Sequence, residues 1–180
     1  MSATIAPEQP QADDKDWTWV TQRACTECGF DPAAVTPEAY PEQITTLSER
    51  FRVFLDLPDA EERPSPQVWS AIEYGQHLAD VCEVMAQRLD AILEADGLAE
   101  FDSWDGEAAS VEREYWRASA NVTSLLLRER AEGAANSFAA PSGDQWQLRG
   151  RRGDGVEFTA STLGLYLLHE LAHHTHDVGA

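Results

Sequence analysis

Positive charge is scarce in this chain. Lys15 is its one lysine, and every other basic residue is arginine. Thirteen basic side chains stand against 32 acidic ones, a net charge of −19. Nucleic acid and anionic membrane both require basic surface, so neither is expected as a main partner. Long apolar runs are missing as well, and nothing approaches the ~20 residues that cross a bilayer. The opening MSATIAPEQPQADDKD lacks a basic stretch followed by an apolar one, so it does not read as a secretory signal. Cysteine is sparse, with only Cys25, Cys28 and Cys82. That number fits a reducing compartment better than a disulfide framework. A cytoplasmic location is expected.

What remains reads as one helical domain. Residues 1–15 are polar and unpatterned, and are expected to be a disordered tail; residues 16–180 form the domain. Residues 16–40 hold two tryptophans, CTECGFD and two prolines, and read as an irregular lead-in. From 40 to 57, Ile44, Leu47, Phe51 and Phe54 recur at spacings of three and four, the stripe of an amphipathic helix. A second helix is expected over 67–95, with Trp69, Ile72, Leu78, Val81, Met85, Leu89 and Ile92 inward. A third is expected over 107–131, with Val111, Tyr115, Val122, Leu125 and Leu126 inward. GDQWQLRGRRGDGVEFT alternates around glycines and predicts a short hairpin or ordered loop. Thr159 or Ser161 is placed to cap a last helix over 161–178. The fold class is all-α, an antiparallel four-helix bundle, an architecture that builds metal sites between facing helices.

The five histidines are His77, His169, His173, His174 and His176, so four lie on the last helix. His169-Glu-Leu-Ala-His173 spells H-E-x-x-H, the zinc-protease pattern. A zincin also needs a third ligand downstream, and HTHDVGA offers no suitable segment. His169 and His173 lie about 40° apart on a helix and can reach one point, whereas His174 is expected to point away. The third ligand is better sought upstream, and His77 is the only histidine outside the last helix. Three histidines on two facing helices, with positions left open, describe a catalytic metal.

At WSAIEYGQHLADV and the terminal LHELAHHTHDV the chain resembles the DinB-like superfamily, over about residues 40–178. That superfamily includes metal-dependent low-molecular-weight-thiol transferases and mycothiol-dependent maleylpyruvate isomerases. The resemblance implies a four-helix bundle and a metal held by His77, His169 and His173. Zinc is the first choice, with nickel, iron or manganese as alternatives. The longer pattern from CTECGFD to RRGDGVEFT is similar to an actinobacterial branch, so the thiol implied is mycothiol. The implied activity is S-transfer or isomerisation of a small electrophile, with a small-molecule substrate and a thiol as partners and a homodimer as a further option. Two alternatives stay open: thiol-independent metal chemistry, as isomerase, lyase or tailoring enzyme, and a non-catalytic metal-binding stress protein.

Other residues are weighed against plainer roles. Glu170 is placed off the ligand face, as a supporting or solvated carboxylate, with a direct catalytic role as the sharper option. Tyr74 and Tyr166 precede His77 and His169 by three residues and line the pocket or pack as aromatics. Cys25 and Cys28 form half of a zinc-ribbon pattern with no second C-x-x-C, so they read first as structural thiols. Arg149, Arg151 and Arg152 are the densest positive spot and suit a carboxylate on substrate or thiol, or else form a charged turn. Asp105 is a cofactor contact or the N-cap of the third helix.

Overall fold

The first long helix begins where proline allows it. The computed structural model describes residues 7, 8, 10, 16–95 and 97–179. Apart from Pro7, Glu8 and Pro10, the tail expected over 1–15 lies outside them. Helix α1 (Tyr40–Leu55) carries Pro41 in its first turn and buries Tyr40, Ile44, Ser48, Phe51 and Leu55. Helix α2 (Ala71–Glu94) starts in a capping box, in which Glu73 N–H donates to the Ser70 hydroxyl and the Glu73 carboxylate accepts from Ser70 N–H. Arg63 closes on the same carboxylate from the preceding loop.

The single helix expected over 107–131 is two helices. Helix α3 (Gly106–Glu112) is capped by Asp105, whose carboxylate accepts from Glu107 and Ala108 N–H. Helix α4 (Ala120–Phe138) is capped by Ser119. The break has an electrostatic cause. Asp80, buried on α2, draws in Arg113, Tyr115 and Arg130. Arg113 and Tyr115 reach it only if the chain turns between α3 and α4, and Glu114 there adopts a left-handed φ of 50°. The expected inward stripe holds only in part: Tyr115 is buried and Leu126 packs against the core, but Val111, Val122 and Leu125 are exposed, and α4 buries Thr123, Leu127, Ala131, Ala134 and Phe138.

The hairpin is present, as β2 (Arg149–Arg152) and β3 (Glu157–Thr159). An unexpected strand, β1 (Ala99–Phe101), pairs parallel with β2. Gly150 sits where a Cβ would meet the Phe101 ring at 2.4 Å, so the sheet needs glycine there. Strand β3 runs directly into α5 (Ala160–Gly179). Thr159 and Thr162 exchange hydroxyl–amide hydrogen bonds at the junction, the cap expected of Thr159. Helix α4 packs against α1 and α2, and α5 packs against both as well, which closes the four-helix bundle. No helix among the described residues is long and apolar enough to cross a membrane.

Helix α5 comes close to α1 at Gly164, where a Cβ would fall 2.4 Å from the Tyr40 ring. Tyr40 has nowhere to go: it is fully buried, wedged against Phe138 and Trp146, and hydrogen-bonded to Ser161. Alanine gains about 1 kcal/mol of helix propensity over glycine, and overpacking costs about 1–3 kcal/mol. Gly164→Ala is therefore expected to lower stability by about 1–2 kcal/mol net, read as a lower denaturant midpoint with an unchanged slope.

Candidate metal centres

The sequence HELAHH holds two interleaved pairs at i and i+4, namely His169 with His173 and Glu170 with His174. Successive helical residues are ~100° apart, so the two pairs face different neighbours. His169 and His173 face the lead-in, where the Trp17 ring lies 5.3 Å and 4.8 Å from theirs. Glu170 and His174 face α2, where the His77 ring lies 4.9 Å from that of His174.

The ligand atoms fall into two groups, each closing within 4.8 Å: His77 with Glu170 and His174, and Cys25 and Cys28 with His169 and His173. Among the described residues, His77, His169 and His173 line one cavity, but their ligand atoms do not close within 4.8 Å as one group. His77 is joined instead by the i+1 pair. The expectation that His174 points away is corrected, because its ring is turned in between α2 and the end of α5. Glu170 likewise lies between two imidazoles rather than off the ligand face.

In the first group one Glu170 oxygen lies 3.5 Å from His77 Nε2 and 3.4 Å from His174 Nε2. Two ligands at 2.0–2.1 Å from a tetrahedral ion stand ~3.4 Å apart, so the spacing suits an ion between them. His174 Nδ1 pairs with Asp177 at 2.8 Å, the outer carboxylate that commonly orients a metal-binding imidazole. Burial opposes charge on His174, but the hydrogen bonds with Asp177 and Glu170 outweigh it and lift its pKa to about 9. Burial also opposes charge on Glu170, and the contacts with His174 and His77 overcome it and hold the carboxylate ionised. His77 is pushed the other way by burial, towards the neutral form that a metal requires. Its Nδ1 is buried without a partner, and Gly106 packs so closely over it that a Cβ there would lie 2.9 Å away.

This group lies in the wall of a cavity of about 590 Å³. Trp17, Trp69 and Trp104 give it aromatic walls, and Trp104 stacks on His77 at 5.5 Å. Tyr74 lines it, tilted over His174 at 4.9 Å, and burial pushes its phenol up to about 12. Tyr166 lines it as well, and burial raises that phenol further. Of the three arginines of the hairpin only Arg152 lines the cavity. Arg149 and Arg151 are exposed and bound to Glu157. Arg88 also lines it, a cation that sequence reasoning missed. It is buried, donates to the Asp102 carbonyl and stacks on Phe101. Asp105 borders the cavity, but one of its oxygens is spent on the α3 cap.

The second group brings the lead-in into the site. Cys25 Sγ lies 3.8 Å from His173 Nδ1. His173 Nε2 faces Glu27 at 3.7 Å and Asp177 at 3.8 Å. Burial lowers the pKa of His169 to about 4 and depresses that of His173 as well.

Comparison with known proteins agrees with this architecture. No curated protein matches the chain. A solved structure, YfiT from Bacillus subtilis, superposes with a TM-score of 0.68 at 17% identity, over 78% of this chain and 82% of YfiT. YfiT is described as a probable metal-dependent hydrolase with an unusual four-helix bundle topology. The sequence model of the DinB superfamily matches residues 43–178, which spans all four bundle helices and both histidine-bearing faces, and the chain belongs to that superfamily.

Proposed function

We propose that the chain is a divalent-metal-dependent enzyme acting on a small acidic electrophile in the central cavity, with a low-molecular-weight thiol as co-substrate. The observation that carries this reading is the meeting of His77, Glu170 and His174 at ion-binding distances on the wall of an open cavity. Two neutral imidazoles and one carboxylate would leave a divalent ion with a net charge of +1 and open positions, as a catalytic site requires. When bound, the metal would supply Lewis acidity and lower the pKa of a thiol or water beside it.

The residues around it define what enters. Arg88 and Arg152 line this cavity, and although Arg152 is paired with Asp154 in the same wall, the two guanidiniums could turn to an acidic group on the substrate. Trp17, Trp69 and Trp104 offer broad flat faces to the rest of the molecule, which suits a sugar-linked thiol such as mycothiol. Tyr74 and Tyr166 keep their protons at neutral pH and can donate to developing negative charge. S-transfer or isomerisation is the reaction this set suits. Hydrolysis, the activity in the description of YfiT, is the competing reading. Peptidase action is not expected, because Glu170 is committed between two imidazoles and is not free to act as a base.

Elemental analysis tests the site. His77→Ala and Glu170→Gln should each lose one equivalent of metal relative to the parent chain. Full metal retention in Glu170→Gln would favour His77, His169 and His173 as the ligand set instead. Turnover of a generic electrophile should require both metal and added mycothiol, and turnover by water alone would favour the hydrolase.

The arginines predict a contrast. A charge-assisted hydrogen bond is worth roughly 1.5–3 kcal/mol, so Arg152→Ala should weaken maleate, a minimal acidic electrophile, about ten- to a hundredfold by calorimetry. Arg149→Ala and Arg151→Ala should leave its affinity unchanged, with metal content unaltered in all three. Equal losses in all three variants would point to the net charge of the hairpin rather than to a contact in the cavity.

A further inference from the structure

We propose that Cys25, Cys28, His169 and His173 form a second metal site, a closed structural zinc site that fastens the N-terminal lead-in onto α5. The four ligand atoms lie within 4.8 Å of one another and come from a C-x-x-C and an H-x-x-x-H, spacings that suit tetrahedral zinc. A thiolate and an imidazole on one zinc ion stand ~3.6 Å apart, and Cys25 Sγ and His173 Nδ1 already stand 3.8 Å apart.

Independent observations point to a missing ligand. His169 is 1% exposed, yet neither of its ring nitrogens has a hydrogen-bond partner. An unsatisfied buried polar group costs about 1–3 kcal/mol, and nothing among the described residues relieves it here. A zinc ion would take up one nitrogen. His173 presents Nδ1 to the sulfur and turns Nε2 towards Glu27 and Asp177, the carboxylate-facing posture of a metal-bound imidazole.

The cysteine loop is shaped for the same task. Cys25 N–H donates to the Phe30 carbonyl at 2.8 Å, and Gly29 N–H donates to the Cys25 carbonyl at 2.9 Å. Gly29 takes a φ of +77°, which folds the chain back directly after Cys28.

Charge separates this site from the one in the cavity. Two thiolates neutralise a divalent ion, so the second site would be neutral and fully coordinated. That suits a buried structural position and leaves no opening for substrate. Zinc is the metal expected for two sulfur and two nitrogen donors in a reducing environment. Bound there, it would hold Trp17 over His169 and His173, and Trp17 forms part of the cavity wall. His169 and His173 themselves line the cavity, so the second site would fix part of its wall.

The test uses the full chain, reduced, stripped with a strong chelator and titrated with cobalt(II). A near-ultraviolet thiolate-to-cobalt charge-transfer band is expected in the parent chain and, undiminished, in His77→Ala. It should be lost in Cys28→Ser. A parent chain that binds cobalt without this band overturns the proposal, as does a band that survives Cys28→Ser. Because Cys28→Ser carries a folding risk, alkylation of the parent chain gives a second reading. Zinc should protect Cys25 and Cys28 from a thiol reagent, located by mass spectrometry, and a chelator should remove the protection. Thiols equally reactive with and without zinc, or a Cys25–Cys28 disulfide that persists in the reduced chain, would overturn it. The cavity metal is judged separately, since its loss in His77→Ala leaves the sulfur band in place.

Discussion

The angular step of the α-helix governs this site. Two residues one position apart cannot face the same neighbour, because each step turns the chain by ~100°. HELAHH therefore presents two pairs to two surroundings from a single turn and a half of α5. The Glu170 and His174 pair meets α2, the His169 and His173 pair meets the lead-in, and both pairs line the cavity. Asp177, two turns along from Glu170, is shared between them. It bonds His174 Nδ1 and lies near His173 Nε2. A carboxylate in that position couples the electrostatics of both faces, since it favours positive charge or metal ligation at either imidazole.

Much of the bundle was legible from periodicity. The helices now seen at Tyr40–Leu55, Ala71–Glu94 and Ala160–Gly179 were all expressed as apolar stripes. The stretch from 106 to 138 was not, and the reason is physical. Its break is imposed by Asp80 on another helix, which recruits Arg113 and Tyr115 through a turn. No local pattern announces a partner some thirty residues away. Helix α4 was further disguised because half of its buried residues are alanine, while Val122 and Leu125 face solvent.

The site was half legible for a similar reason. The histidine cluster drew attention to α5, and His77 does stand against that helix, beside Glu170 and His174. Which pair His77 would meet depends on the rotation of α5 about its axis. That rotation is fixed by contacts such as Gly164 against Tyr40, not by the spacing of the histidines. Glu170 and His174 were visible as a second i, i+4 pair, and only packing could rank the two. Cys25 and Cys28 looked like half a motif because their complement lies more than 140 residues further on.

The lead-in shows why such a complement is needed. The superfamily match begins at residue 43, so Trp17, Cys25 and Cys28 lie outside it. Between Trp17 and Ala39 the chain forms only short 3₁₀ turns, and few of its side chains are fully buried. Ordering each backbone residue costs roughly 1–2 kcal/mol, and Val20 and Cys25, the two side chains most completely buried there, cannot offset that over so many residues. Small irregular segments are ordinarily held by cross-links or metals for this reason. The cavity wall that Trp17 supplies is thus only as firm as the attachment of the lead-in to α5. Of the four side chains drawn together at that attachment, His169 is buried with neither ring nitrogen hydrogen-bonded among the described residues, and an ion held by all four would relieve it.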